Sequence, residues 1–523
     1  MKTQIYNRIS ADITKLPSPT PEFVVVSGSW HDMGVQYAQQ AREQIMIRVA
    51  EMLGNYIDIF GSYEDVVKVV SDFLAPSRAD FPQLIELLEG MGEELSLAPE
   101  VCAILLYGMS MIRVELESRQ NMDSCSHSAA WGDSTTNGHL LTAANVDMDT
   151  TTTNYLPCIL AYPDDGIAYI CGENFHRNGM NEEGLILQMS GGQNAGKDGA
   201  EKGEGRRMWN DSEIKAFFTC KTTAQALEVY KNNRYVVGCN QFIGDLSHDT
   251  CIIEFTANRF CVRRPGDYGE KNFIFATNGY NAPELQANLA MGPFHWNDCL
   301  PRYWTIERIL QDNDGKIDLD ILRRAEGCYN FYIPEGWSFV KHEGWDGNGE
   351  WVKGGNSPYP AGWHEGPEAE FGQWTPQMRG TDGAAFRFLM DAEERSFYVM
   401  KGESSPVFAN TPGATGTFAK VTLGGRPEDV VARAKAELNR LLEKAEFDTE
   451  DVPPAAWSER ITNIHRSREH LLKGITAYGM ALCAGSMTNK AERNYYLGKA
   501  LSEFGAGQCV ARLALDDPEL IML

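Results

Sequence analysis

The sequence predicts a layered α+β protein, and three observations carry that reading. Helix-period segments gather at residues 30–117 and again from 427 onward. Between 125 and 277 the pattern changes to short apolar runs of strand length, separated by Gly, Asn and Asp. Runs of strands flanked by runs of helices fit layers better than the regular strand–helix alternation of a doubly wound sheet.

Taken in order, residues 23–29 (FVVVSGS) read as a strand, and helical spacing follows from Trp30 through Gln36, Ala41 and Ile45 to Met52. Helix continues to about 117, with turn signals at Pro76, Pro82 and Pro99. Strands are expected at 126–131, 140–146, 167–171 and 185–189, then a helix over 215–232. Further strands are expected at 235–238, 250–255 and 273–277, and helices at 299–311 and 319–325. Residues 329–380 differ from their surroundings, with five tryptophans (Trp337, Trp345, Trp351, Trp363 and Trp374), many glycines and little periodicity. They could line an apolar or cationic pocket, but packing of a long excursion onto the body of the fold is the simpler expectation. A strand pair at 385–390 and 396–400 precedes a mostly helical tail with a joint at Pro453 and Pro454. Three segments are expected: 1–124, a core at 125–425 carrying the 329–380 insertion, and a helical extension at 426–523.

Composition narrows the function. Asp and Glu outnumber Lys and Arg by 72 to 47, for a net charge of −25, and such a surface repels phosphate backbones. No nucleic-acid partner is expected. No run approaches 18 apolar residues, so no membrane partner is expected either. The opening MKTQIYNRISADITKLPSPT has no apolar signal-peptide segment, and the twelve cysteines are scattered without CxxC spacing, which together suggest a cytoplasmic protein with reduced, mostly buried thiols. The phosphate-loop pattern is absent, and Gly-rich pieces such as 191–196 lack a strand–turn–helix setting. His295 and Cys299, at i, i+4 spacing, could form half a metal site, but no second pair of that kind accompanies them. Neither a metal nor an organic cofactor is expected, and homo-oligomerisation is left open.

The informative stretch runs from Asp123 to Asp147 and reads as strand, turn, strand, with Asn137-Gly138 as the hairpin signal. Cys125 opens the first strand, and the Asn145-Val146-Asp147 end of the second folds back beside it. A thiol, an amide and a carboxylate are thereby expected together, Asn145 and Asp147 sharing one strand face. His127 lies two residues from Cys125 on the same face, which leaves a thiol–imidazole dyad open; His139 is a second candidate.

These residues resemble the N-terminal-nucleophile hydrolases, and more narrowly the acyl-coenzyme A:6-aminopenicillanic acid acyltransferase family. Cys125-Ser126, Asn137-Gly138 and Asn145-Val146-Asp147 match the family's Cys-[Ser/Thr], Gly-containing hairpin and Asn-x-Asp. Gly28-Ser29 with Met33-Gly34, the segment 179–185 (GMNEEGL), Ala276-Thr277-Asn278 and Arg302 follow in the family's order. The resemblance covers residues 23 to 402. Ala144 stands where many relatives have Arg, and Gly279 replaces the histidine of Thr-Asn-His; Arg379 and Arg387 both lie where relatives place a pocket arginine.

The resemblance implies a four-layer αββα sandwich, here with an added C-terminal helical segment, and cysteine chemistry on a linear amide. Cleavage between Ser124 and Cys125 would expose an α-amine with a pKa of about 7.7–8.0, able to take the proton of its own thiol. The thiol would form an acyl-enzyme resolved by water or an amine. Cys125 is then nucleophile, Asp147 the partner of the α-ammonium, Asn278 the oxyanion donor, and Asn145 a hairpin brace near the nucleophile. Two rivals remain: a Cys-His hydrolase that never cleaves itself, and a non-catalytic binding protein using the Trp-rich segment.

Overall fold

In a computed structural model of the protein, the described residues are 21–108, 111, 124–147, 156–191, 205–267, 269–286, 293–328, 331–341, 349–354, 361–364, 384–401, 417–448 and 454–515. The chain begins with β1 (Phe23–Gly28) and five helices: α1 (Trp30–Gln40), α2 (Arg42–Phe60), α3 (Tyr63–Asp80), α4 (Pro82–Leu95) and α5 (Pro99–Tyr107). Then come β2 (Ser124–Gly132), β3 (Gly138–Asp147), β4 (Cys158–Pro163), β5 (Tyr169–Glu173), β6 (His176–Asn181), β7 (Ile186–Gly191) and β8 (Arg206–Arg207). The expected helix at 215–232 is two helices, α6 (Trp209–Thr219) and α7 (Thr223–Lys231). Thr222 explains the break, because its side chain caps α7 by accepting the Gln225 N–H.

The expected strand at 235–238 is displaced. β9 covers only Arg234–Tyr235, and the long strand β10 is Cys239–Gly244. β11 (Thr250–Phe255), β12 (Phe260–Arg263) and β13 (Phe273–Ala276) lead to the short α8 (Pro283–Gln286), then α9 (Pro293–Asp312) and α10 (Leu319–Gly327). The Trp-rich stretch contains β14 (Phe331–Ile333), β15 (Trp337–Lys341), β16 (Gly349–Lys353) and β17 (Gly362–His364), paired as two small hairpin-like ribbons. β18 (Ala384–Asp391), β19 (Ser396–Lys401) and β20 (Ala419–Thr422) precede α11 (Pro427–Phe447), α12 (Trp457–Ser486) and α13 (Lys490–Leu515). A 3₁₀ turn at Pro454–Ala456 forms the expected joint.

Among the described residues, two large sheets form. One has eight strands in the order β1-β4-β5-β6-β7-β10-β11-β12, the other six in the order β13-β2-β3-β18-β19-β20. Side-chain alternation sorts their residues into three cores. Val24, Val26, Ile159 and Leu187 face α1–α7. Val25, Leu160, Ile170, Ile186 and Phe242 meet Ala129, Leu140, Val146 and Phe388 between the sheets. Leu141, Ala143, Phe275 and Leu389 face Ile306 and Leu310 of α9 and Leu322 of α10. The result is helices, sheet, sheet, helices: the αββα sandwich, with α11–α13 added. The run of apolar residues in β1 is continuous because the strand is buried on both faces.

β1 is an edge strand that pairs in parallel with β4. Its open side is closed by side chains acting as a substitute strand. The Gln36 amide bonds both the N–H and the C=O of Ser27, and the Gln40 amide does the same for Val25. Ser502 of α13 accepts the Phe23 N–H, and Asn494 donates to Ser27 Oγ at 2.7 Å. At the far edge of the other sheet, Gln508 of α13 accepts the Lys420 N–H. An exposed edge would otherwise template aggregation; here residues from the two ends of the chain cover it.

α1 crosses α4 on two glycines. A Cβ on Gly34 would stand 2.2 Å from the Leu87 carbonyl oxygen, and one on Gly90 would stand 2.2 Å from that of His31. The described part of the Trp-rich stretch packs on α9: Trp304, Phe331, Ile333 and Phe339 share a small core, and Trp337 lies 4.8 Å from Trp304. Trp345 and Trp374 lie outside the described residues.

Candidate active site

Cys125 sits near the start of β2, its Cα paired with Val146 on β3, and it is 2% exposed. Strand alternation points its thiol between the sheets, in the same core as Val146 and Ala276. Its backbone is gripped on both sides. Cys125 N–H donates to Asn278 Oδ1 at 2.8 Å, and Arg302 Nη1 donates to the Cys125 carbonyl at 2.7 Å. Arg302 Nη2 also donates to Asn278 Oδ1 at 2.9 Å. Arg302 has no exposed surface, and a buried guanidinium is tolerable only when its donors are met.

Asn278 is held in turn by the eight-stranded sheet. Its Nδ2 donates to the Gly191 carbonyl at the end of β7. Ser190 Oγ and Asn240 Nδ2 both donate to the Thr277 carbonyl, at 2.7 and 2.8 Å, and Asn240 also bonds the Gly279 carbonyl. Ser190 and Asn240 are register partners on β7 and β10. Two polar residues facing inward from one sheet thus fix the strand end that carries Asn278. The expected role for Asn278 was donation to an oxyanion. In this geometry its N–H group serves Gly191, and its oxygen faces the nitrogen that cleavage would liberate.

Asp147 ends β3, and its Cα is paired with that of Ser124, so the backbone of the expected carboxylate stands directly across from the expected scissile residue. Asn145, expected as a brace near the nucleophile, bonds the helical layer. Its Cα pairs with Ser126, and its Nδ2 bonds the Glu326 carbonyl on α10. Ser126 Oγ bonds Glu326 Oε2 at 2.5 Å. Asn145 therefore lies on the outer face of the sheet with α10, while the Cys125 side chain lies on the inner face. Residues one apart along paired strands point to opposite sides.

His127 does share the inner face with Cys125 and is fully buried. Burial, then the Arg263 cation, push its pKa down to about 3 against a smaller opposing pull from the Met189 backbone. A base that weak is poorly matched to a thiol near neutral pH, which counts against the dyad. His139 stands at the other end of β3 with Asp391, about 27 Å along the strand from Asp147 at ~3.4 Å per residue.

Of the two candidate arginines, Arg387 is buried on β18 with its Cα opposite Asn145, and Arg379 lies outside the described residues. Ala144 is buried opposite His127. Cys299, whose sulfur accepts from Arg302 at 3.6 Å, is part of the same grip, while the His295 side chain lies outside the described residues. The segment 179–185 closes the β6–β7 turn, where Asn181 Oδ1 accepts the N–H groups of Glu183 and Leu185.

All twelve cysteines are free thiols. Burial pushes Cys102, Cys158 and Cys251 up to about 12, which makes them inert structural groups. Among the described residues no helix is long and apolar enough to cross a membrane.

Sequence reasoning gave Arg302 no role and missed Ser190 and Asn240. The Arg302 signal was its place after Ala276-Thr277-Asn278 in the ordered motif pieces. Nothing in the sequence marks Ser190 or Asn240, because their task is set by the sheet register.

No family model and no curated protein matches the chain by sequence. Among solved structures, it is similar to a mutant of conjugated bile acid hydrolase from Clostridium perfringens, with 11% identity and a TM-score of 0.31, over 53% of this chain and 89% of that one. It is also similar to penicillin V acylase from Agrobacterium tumefaciens, with 13% identity and a TM-score of 0.31, over 58% of this chain and 92% of that one.

Proposed function

We propose that the protein is a cysteine N-terminal-nucleophile enzyme acting on a linear amide of a small molecule, as hydrolase or acyltransferase, after cleaving itself between Ser124 and Cys125. One observation carries the reading: a fully buried arginine and a fully buried asparagine converge on the backbone N–H and C=O of one cysteine. Such a grip positions a backbone nitrogen that is to become a functional group.

In the first step the Cys125 thiol attacks the Ser124 carbonyl. The C–N bond breaks, the nitrogen gains a proton and becomes the α-amine, and water hydrolyses the resulting thioester to a Ser124 carboxylate. In the second, the α-amine takes the thiol proton while resting on Asn278 Oδ1, with Asp147, whose backbone stands opposite Ser124, proposed as its counter-charge. The thiolate attacks the substrate carbonyl, the amine leaves with that proton, and water or a second amine resolves the thioester. Arg302 keeps the Cys125 carbonyl fixed throughout. Asn145, on the far face, acts as a brace for α10 and not as a group at the reacting atoms.

The test is a thiol alkylator applied to protein turning over a panel of N-acyl amines and N-acyl amino acids. Turnover should disappear as the adduct forms on Cys125, despite eleven other cysteines, and a chelator should leave it intact. Turnover that persists with Cys125 fully alkylated overturns the assignment.

A further inference from the structure

A second cluster lies at the opposite end of the sandwich from Cys125. His139 near the start of β3, Asp391 at the end of β18 and Glu393 in the β18–β19 turn each offer one ligand atom, and these atoms lie within 4.8 Å of one another. His248, from the β10–β11 turn of the other sheet, places Nε2 2.9 Å from Glu393 Oε1. His139, Asp391 and Glu393 thus form a close cluster between two turns of one sheet, and His248 reaches it from the other sheet through Glu393.

The carboxylates are held for this arrangement. Glu393 Oε2 accepts the Leu140 N–H at 2.8 Å, and Asp391 Oδ1 accepts the Glu394 N–H at 3.0 Å. Such outer bonds orient metal-binding carboxylates. Asp391 is 4% exposed, while His139, Glu393 and His248 are partly open to solvent, so an ion has both an anchor and a way in. His248 adopts φ +61°, a left-handed turn conformation in which His, like Asn and Asp, is enriched, and its imidazole meets Glu393 there.

We propose that His139, Asp391 and Glu393 form a site for one divalent transition-metal ion, with His248 positioning Glu393 from the other sheet. Imidazole with carboxylate suits Zn²⁺ and its first-row neighbours. The charges also fit: two carboxylates supply the two negative charges that a dication cancels. The rival is a pair of plain His–carboxylate bridges, His139 with Asp391 and His248 with Glu393, with no ion between them.

Zn²⁺ binding to the full chain, measured by competition with a chromophoric chelator, separates the two. A Cys125→Ala background removes the proposed catalytic thiol as a competing ligand. One Zn²⁺ per chain is expected, with a Tm that rises with Zn²⁺ concentration as binding to the native state requires. His139→Gln should weaken binding at least about tenfold and abolish the Tm rise, and His248→Asn, which frees Glu393 from the other sheet, should weaken it by less; Asn tolerates the positive φ at position 248. Circular dichroism matching the parent shows that each variant is folded, and Glu393→Gln, which retains an acceptor for Leu140, is the reserve should one of them not be. Absence of stoichiometric binding, or binding that the folded variants leave unchanged, overturns the proposal in favour of the bridges.

Discussion

The two faces of strand β2 are built for different work. On the outer face Ser126 bonds Glu326, and its neighbour Asn145 bonds the same residue's carbonyl, tying the sheet to α10. On the inner face the Cys125 backbone is gripped by Arg302 and Asn278, and its thiol lies between the sheets. Polar bonds that tie one layer to another stabilise a fold, whereas bonds that fix the backbone of a nucleophile set the geometry of a reaction. Substitutions on the inner face should therefore change chemistry first, and substitutions on the outer face stability first.

The largest effect is expected at the thiol. Cys125→Ser keeps the shape but supplies a hydroxyl of far higher pKa, so turnover should fall by on the order of 10³ or more with Tm nearly unchanged. Full activity in this variant would remove the inner face from the chemistry. Next comes Asn278→Ala, for which a loss of about 10²–10³ in kcat is expected, the size of losing a positioned polar group at a reacting centre. Near-normal turnover there would show that another group receives the α-amine.

Asn145→Ala probes the outer face. It removes a buried hydrogen bond to the Glu326 carbonyl, so stability should drop by about 1–3 kcal/mol in denaturant unfolding, with kcat changed less than about threefold. A large kcat loss at unchanged stability would return Asn145 to the reacting centre and erase the contrast between faces.

The last expected effect appears only in acid. The unfolded His127 imidazole takes its proton near pH 6.5, and the folded one only near pH 3. Between those values the unfolded state binds more protons, so stability is lost as pH falls through the window, by at most about 1.4 kcal/mol per pH unit. His127→Phe should flatten that part of the stability profile. An unchanged profile would mean the acid sensitivity comes from other groups.

How much the sequence revealed depended on whether the information was local. Strand β1 and hairpin β2–β3 were legible because their apolar runs and the Asn137-Gly138 turn are encoded within a few residues. The layered arrangement followed from where strands and helices cluster. The pairing of Cys125 with Asn278 was legible only through the ordered motif pieces, since 153 residues separate them. The face that Asn145 occupies was not legible, because residue spacing gives the face relative to its own strand and register with the neighbouring strand decides the rest. Helix α7 was merged with α6 because the Lys221-Thr222-Thr223 cap was passed over. The His139 cluster was invisible for the same reason as Ser190 and Asn240: its ligands come from separate turns that only the folded sheets bring together.

The central claim is that Cys125 becomes an N-terminus. The intact mass of purified wild-type protein under denaturing conditions tests it most directly. Fragments of 124 and 523 − 124 = 399 residues are expected, co-eluting under native conditions because β1 is stitched into the large sheet and to α13, while Cys125→Ala stays a single chain. Active wild-type protein with the mass of one uncleaved 523-residue chain would contradict the account.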